Sequence, residues 1–379
     1  MDLSQIRQNI DSIDDQIKDL FEKRMNLASE VADYKRQNNM PVLNTKRERE
    51  IISRVTEGQD DTLAGYTKIL YTTLFDLSRS FQNRKLNADS ALIGQIRESL
   101  QITPNVFPAS AVVACQGTEG AYSQLACDKL FSRPNIMYFG SFQGVFGAVE
   151  KGMCKYGILP IENSLYGSVT NVYDLMKKYK FHIAKSIKLH INHVLLAKQG
   201  VKLSEIKEIY SHEQAIGQCS EFLKDLPNVK ITVCENTAVA AKTVADSDRR
   251  DVAAISSKNC AELYGLCILS ESVQNNDSNY TRFICITKDL EIFPGSSKIS
   301  LMFTIPHRPG SLYGLISKFS ALGVNLTKLE SRPIPGKDFE FMFYFDMDAS
   351  VYSDDVMSLL AELENSPEQF MFLGSYSEL

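Results

Sequence analysis

The first chemistry in this chain is charge placed where an apolar seam should run. From Leu3, positions 3, 6, 10, 13, 17, 20, 24, 27, 31 and 34 read Leu, Ile, Ile, Ile, Ile, Leu, Arg, Leu, Val and Tyr. That is a heptad stripe broken once, at Arg24, and a guanidinium on such a seam needs an anionic partner. Arg7 and Lys35 flank the same stripe. They are 28 residues apart, about 42 Å along a helix, so one helix cannot bring both to one small anion. If both bind the same ligand, Arg7 comes from the second chain of an antiparallel dimer.

Further along, four loops read as ligand-facing turns. Gln116-Gly117-Thr118-Glu119-Gly120-Ala121-Tyr122-Ser123 joins a strand to a helix, with glycines that permit close backbone approach. Pro160-Ile161-Glu162-Asn163-Ser164, followed by Gly167-Ser168-Val169, ends a second strand. Ser211-His212-Glu213-Gln214, with Gln218, ends a third, and Asn279-Tyr280-Thr281-Arg282-Phe283 opens a last one. Ser211-His212-Glu213 does not read as a hydrolytic triad, because consecutive side chains do not converge on one point. By strand alternation Arg282 points away from Thr281, toward a turn or a carboxylate elsewhere. Near the C-terminus, Gly310-Ser311-Leu312 starts a helix whose amides suit a carboxylate, and Glu330-Ser331-Arg332-Pro333 ends a strand.

The elements that must position these residues fall into three regions. Residues 1–88 read as all-helical: one helix of about 35 residues, a second opened by the capping-box pattern Thr45-x-x-Glu48, and a third from about Thr62 to Asn87. Three such helices cannot close a core alone, and dimerisation along the stripe follows. Residues 89–110 read as a linker around a short helix. From 111 to 287, apolar strands alternate with helices, which predicts a two-lobed α/β fold with a mainly parallel sheet. Residues 297–379 spell βαββαβ, the ferredoxin-like order.

Composition sets the class. The 379 residues carry a net charge of −5, 44% hydrophobic and 23% charged residues, and the pI is near 5.7. No basic face for nucleic acid is expected, and no apolar run reaches the ~18 residues of a membrane span. The N-terminus opens on a polar amphipathic pattern, so a cytoplasmic location is expected. Eight cysteines without a Cys-x-x-Cys pair read as reduced core residues. His190 and His193, three apart on one expected strand, face opposite ways, so no shared metal is expected. With no phosphate-binding glycine loop either, no cofactor is implied.

Arg7, Arg24, Lys35, Arg47-Glu48 and Ser78-x-x-x-Gln82 together resemble the all-helical chorismate mutases. The resemblance implies that Arg7, Arg24, Lys35, Asn44, Arg47, Glu48, Ser78 and Gln82 bind chorismate, and that Lys35 and Gln82 hydrogen-bond its ether oxygen as charge develops there. A pericyclic step needs only a fixed conformer and such donors. The turn motifs of 112–286 resemble prephenate dehydratase, a periplasmic-binding-protein-like fold. Thr281 is then the catalytic residue, with Glu162, Asn163, Ser164, Ser211 and Gln218 binding prephenate. Gly310, Ser311, Leu312, Glu330, Ser331, Arg332 and Pro333 resemble the phenylalanine site of ACT domains. The resemblance therefore implies a homodimeric or larger bifunctional enzyme of phenylalanine biosynthesis, feedback-inhibited by phenylalanine. Two alternatives are a dehydratase with a non-catalytic helical arm and a non-catalytic amino-acid sensor.

Overall fold

The computed structural model describes residues 2–38, 40–86, 90–226, 228–307, 309–334, 340–365 and 369–379. Asn87, where the third helix was expected to end, lies outside them, as do Met1 and the first residue of the expected linker. Two compact units emerge. One holds the chain up to Glu98 with Leu301–Met371; the other holds Ser99–Ser300 with Phe372–Leu379.

In the first unit, α1 (Leu3–Gln37) starts where the Asp2 carboxylate accepts from Gln5 N. Its heptad stripe stays exposed: Leu3, Ile10, Ile17 and Leu20 each keep half or more of their surface. Only Ala28 and Ala32 are buried, on the face that meets α3 (Asp61–Leu86). Helix α2 (Thr45–Thr56) is capped one residue earlier than the capping-box pattern predicts. Asn44 Oδ1 accepts from Arg47 N at 3.0 Å, so Asn44 is the cap. Asparagine caps helix N-termini at least as well as threonine does, and with Asn44 in place Thr45 becomes the first helical residue. Helix α4 (Ala91–Ile102) occupies the expected linker, and its first turn is capped by the Glu364 carboxylate, which accepts from Leu92 N.

The second unit holds two mixed sheets. The first is ordered β2 (Asn135–Phe139), β1 (Val112–Gln116), β3 (Tyr156–Asn163), β11 (Tyr280–Thr287), β5 (His182–His190), with the two-residue β4 (Gly167–Ser168) on β3. The second is ordered β10 (Cys267–Ser270), β6 (His193–Ala197), β9 (Val252–Ser257), β7 (Glu208–Ser211), β8 (Lys230–Val233). Helices α5 (Tyr122–Leu130), α6 (Phe142–Glu150), α7 (Thr170–Tyr179), α8 (Glu213–Gln218), α9 (Ser220–Lys224), α10 (Thr237–Asp246) and α11 (Asn259–Leu263) connect them.

The expectation of mainly parallel sheets is corrected. β11 runs antiparallel to both β3 and β5, and β6 antiparallel to β9 and β10. These strands carry the chain from one sheet to the other and back, so they enter against the direction of the βαβ strands. His190 and His193 also end up on different strands, β5 and β6, because the chain leaves one sheet at Ile191-Asn192.

The ferredoxin-like sheet is ordered β13 (Asn325–Pro333), β14 (Phe341–Asp348), β12 (Lys298–Thr304), β15 (Phe370–Tyr376), with α12 (Ser311–Ala321) and α13 (Asp354–Glu364) between strands. This matches the βαββαβ order. In the first unit, α13 packs on α3, where buried Glu362 accepts from Ser80 Oγ at 2.9 Å and from Lys318 Nζ at 2.6 Å.

Glu208 on β7 is a buried carboxylate that accepts from Lys230, Thr232 and Arg249. The Lys230 hydrogen bond, then those of Thr232 and Arg249, outweigh burial and hold its pKa down to about 2. A depressed carboxylate stabilises the fold above its unfolded value, here 4.5, and that stability goes as pH falls toward 2. Glu208→Gln should therefore melt several degrees below the parent at pH 7, with the gap closing between pH 4.5 and 2. Thermal melts across that range check it, and a gap independent of pH would contradict the charge argument.

Two candidate active sites

The first candidate site forms where α1 crosses α3. Arg24, Ala28, Ala32 and Lys35 recur on one face of α1, and the two buried alanines leave space between the two cations. Lys35 Nζ donates to Gln82 Oε1 at 3.1 Å and to Val42 O at 2.5 Å. Gln82 Nε2 in turn donates to the Ser78 carbonyl at 3.1 Å, with Ser78 Oγ at 3.4 Å. Ser78 and Gln82 are both buried, one helical turn apart on α3. Burial lowers the Lys35 pKa from 10.5, the negative charge of Glu48 opposes that, and Arg79 adds to it. Arg24 reaches α3 higher up: its Nη1 donates to Leu74 O at 3.2 Å and its guanidinium lies 5.8 Å from the Phe75 ring centroid.

The structure thus brings Lys35, Ser78 and Gln82 together, with Glu48 close enough to act on the lysine. Arg24 sits on the same α1 face. Arg7 is exposed and stays remote within the chain. Asn44 is occupied as a helix cap, and Arg47 is exposed beside Glu50 at 3.4 Å. Sequence reasoning missed Arg79, which pairs with both Glu48 and Asp76. Its only signal was the i, i+3 spacing from Asp76 on a helix already singled out.

The second candidate site is built on β3 and β11. In their antiparallel register Thr281 lies opposite Asn163 and Arg282 opposite Glu162. Asn163 Oδ1 accepts from the amides of Leu165 and Tyr166, both at 3.0 Å. That fixes the orientation of its amide, so Nδ2 donates to Thr281 Oγ1 at 2.9 Å and to Asn279 Oδ1 at 2.8 Å. Because Thr281 Oγ1 already accepts a bond, its own proton is free for an external acceptor and is polarised by the chain of bonds behind it. Thr281 remains partly exposed, whereas Asn279 is fully buried. Asn279, two residues before Thr281 and hence on the same strand face, was quoted within a motif but not picked out as a site residue.

The remaining expected residues divide. Glu162 is half-buried next to Asn163. Ser164 ties its loop to β11: its hydroxyl donates to Ser278 O and accepts from Tyr280 N. Gln218 is buried and its Oε1 faces His193 Nε2 at 2.8 Å, beside the Tyr122 ring. Ser211 has no exposed surface, and its hydroxyl donates to Ile255 O at 2.8 Å. As folded here it serves the β7–β9 pairing and has no surface to offer a substrate. Among the described residues, no three His, Cys, Asp or Glu side chains gather as a metal site, and no helix is long and apolar enough to cross a membrane.

In the ferredoxin-like module, Gly310 has φ +85° and precedes α12. Leu312 is half-buried. Ser311 Oγ is buried and meets no hydrogen-bond partner among the described residues. Edge strand β13 alternates strictly, so Glu330 and Arg332 share the half-buried face while Ser331 and Pro333 take the exposed one. The expected tetrad therefore does not present itself to one ligand as a block.

Comparison with known proteins assigns both regions to known families. Residues 6–83 match the model of chorismate mutase type II, and residues 113–291 that of prephenate dehydratase. The bifunctional chorismate mutase/prephenate dehydratase of Escherichia coli K12 is 32% identical, over 98% of this chain and 95% of its own length. Arogenate dehydratase/prephenate dehydratase 2 of Arabidopsis thaliana is 35% identical, over 79% of this chain and 81% of its own. A crystal structure of prephenate dehydratase from Arthrobacter aurescens in complex with L-Phe is 29% identical with TM-score 0.63, covering 70% of this chain and 90% of that one. With two domain matches in that order, and a bifunctional relative aligned over nearly its full length, the chain belongs to the bifunctional chorismate mutase/prephenate dehydratase family.

Proposed function

We propose that the two activities of this enzyme run at the two centres just described, with the residue roles that follow. At the helical centre, chorismate lies along the α1 face between Arg24 and Lys35, its carboxylates matched to cations and its ether oxygen to Lys35. The Gln82 amide turns to give Nε2 to the same oxygen, and its present bond from Lys35 passes to the substrate. The rearrangement moves electrons in a ring, so charge on that oxygen is what the protein stabilises. The observation that carries this reading is the meeting of Lys35 and Gln82 across the α1–α3 contact.

At the β3–β11 centre, Thr281 hands a proton to the departing hydroxyl of prephenate, which leaves as water. The electron pair of the bond to the departing carboxylate completes the aromatic ring as CO2 is lost, so the demand on the acid is small. The bond from Asn163 to Thr281 Oγ supports this role. The exposed heptad stripe and the exposed Arg7 support a homodimer in which Arg7 completes the partner's mutase centre. Gly310, the unpartnered Ser311 hydroxyl and the L-Phe bound by the Arthrobacter relative support a phenylalanine site on residues 297–379. Eight free cysteines, six of them buried, suit a cytoplasmic setting.

Rates on chorismate and on prephenate, each with and without phenylalanine, test the scheme. Lys35→Ala should lose about 10²–10³ in mutase rate and keep dehydratase activity, and Thr281→Ala should do the reverse. Equal loss of both activities in either variant would overturn the division. The lowered Lys35 pKa sets a pH signature: kcat/KM for chorismate should fall on the alkaline side below the ordinary lysine value of 10.5, as the ammonium donor is lost. Lys35→Arg should push that limb to higher pH. Mixing inactive Arg7→Ala and Lys35→Ala chains should restore mutase activity, since one shared centre is then intact. No recovery in verified heterodimers would remove the shared-centre arrangement.

A further inference from the structure

Arg282 adjoins Thr281, is buried, and has no part in the scheme above. Its strand position is unusual. β11 pairs with β3 in one register through Arg282–Glu162, then shifts by a residue, so that Phe283 faces Pro160. The extra residue is Ile161 on β3, so Arg282 lies across from a bulge, and bulges re-aim the side chains beside them. The residue aimed here is Thr281.

What holds Arg282 comes from the segment Phe372–Leu379. Its Nε lies 2.7 Å from Glu378 Oε2, its Nη2 donates to Tyr376 Oη at 2.6 Å, and its guanidinium lies 5.9 Å from the Tyr376 ring centroid. Tyr376 is fully buried, and its hydroxyl also meets Ser300 Oγ at 2.6 Å. The Glu378 carboxylate accepts from Ser186 Oγ at 3.1 Å and pairs with Lys188 at 3.0 Å and Lys298 at 3.7 Å. Lys188 is the cross-strand neighbour of Arg282 on β5.

The backbone is locked as well. Ser186 N donates to Ser377 O, Lys188 N to an oxygen of Leu379, and Leu379 N to Ser186 O, each at 3.0 Å. Gly374 passes so close to β5 that a Cβ would lie 2.4 Å from Ile183 O. The segment thus joins β5 by its main chain and Arg282 by its side chains, on the face of the sheet opposite Thr281.

We propose that Glu378 and Tyr376 are positioning residues of the dehydratase centre: they hold Arg282, and Arg282 holds the bulge that sets Thr281 against Asn163. One carboxylate gathers three cations, and removing its charge takes from the buried Arg282 the acceptor that fixes its Nε while Lys188 and Lys298 stay beside it. The guanidinium then moves, the bulge relaxes, and the Thr281 hydroxyl loses its alignment. Prephenate binding, which rests on other residues, is spared. Displacements of about 1 Å at a reacting group cost on the order of a hundredfold in rate.

The proposal rests on Thr281 as the proton donor, and the experiment separates the two. Glu378→Gln, Tyr376→Phe and Arg282→Lys are made in the full chain and assayed on prephenate and on chorismate, with thermal melts. Glu378→Gln should lower dehydratase kcat at least about tenfold, leave KM for prephenate within about twofold, and leave mutase turnover unchanged. Tyr376→Phe keeps the ring and the fold, and should lower the same kcat by a smaller factor. Arg282→Lys, which keeps the charge and loses the fork, should fall between them, and its effect should not add to that of Glu378→Gln.

Wild-type kcat in Glu378→Gln and Tyr376→Phe, with only the melting temperature reduced, would mean a purely structural segment and overturn the proposal. A raised KM with unchanged kcat would overturn it too, since Arg282 would then be a substrate ligand. Thr281→Ala, run alongside, should be inactive. Full activity there would overturn the reading of Thr281 and the proposal with it, whereas inactive Thr281→Ala beside undiminished Glu378→Gln overturns the proposal alone.

Discussion

The pairing of β3 with β11 is the constraint on which the proposed dehydratase centre depends. Asn163 and Thr281 are 118 residues apart in the chain, and only the register of these two strands brings them together. Shifting one strand by a single residue would turn Thr281 to the opposite face of the sheet. The register is secured from several sides at once. Asn163 is anchored by two loop amides, Ser164 stitches its loop to β11, and buried Asn279 takes the second proton of the Asn163 amide. The meeting of Asn163 and Thr281 is a by-product of strand pairing, and the polar bonds around it oppose slippage.

The proposed mutase centre is built differently. Two helices must approach closely enough for Lys35 and Gln82 to touch while leaving room for a small dianion. Ala28 and Ala32 meet both needs, since methyl side chains allow close packing and fill little space between the flanking cations. The same helix leaves its large apolar residues outward. The face that meets α3 and the exposed apolar face are therefore separate stripes of one helix.

Local pattern made much of this legible in the sequence. The heptad stripe marked α1 to the residue at its start, whereas Gln82 and Thr281 were singled out by resemblance to the two enzyme families. Strand directions were not legible, because β11 and β6 look the same as parallel core strands in composition and differ only in where the chain has just been. The burial of Ser211 was likewise hidden: a serine at a strand end reads the same whether its hydroxyl faces a cleft or the carbonyl of Ile255. Asn44 was read as a ligand residue when the nearer demand was a helix amide in need of an acceptor. The partner of Arg282 lay 96 residues away in a segment with no motif of its own, and no local signal could have named it.

The division of the second unit into Ser99–Ser300 and Phe372–Leu379 has a consequence for the order in which the chain is made. A ribosome delivers the first piece, with both sheets complete, well before the second. At roughly 5–20 residues per second, several seconds of synthesis separate them, during which Glu378 is not yet there to meet Arg282. The intervening residues, Leu301–Met371, belong to the other unit, so the dehydratase lobe stays unfinished until the ferredoxin-like module has been translated through. Completion of the second unit thereby waits on the module translated before its last segment, and a chain truncated before Phe372 would leave β5 without the main-chain bonds of Ser377 and Leu379.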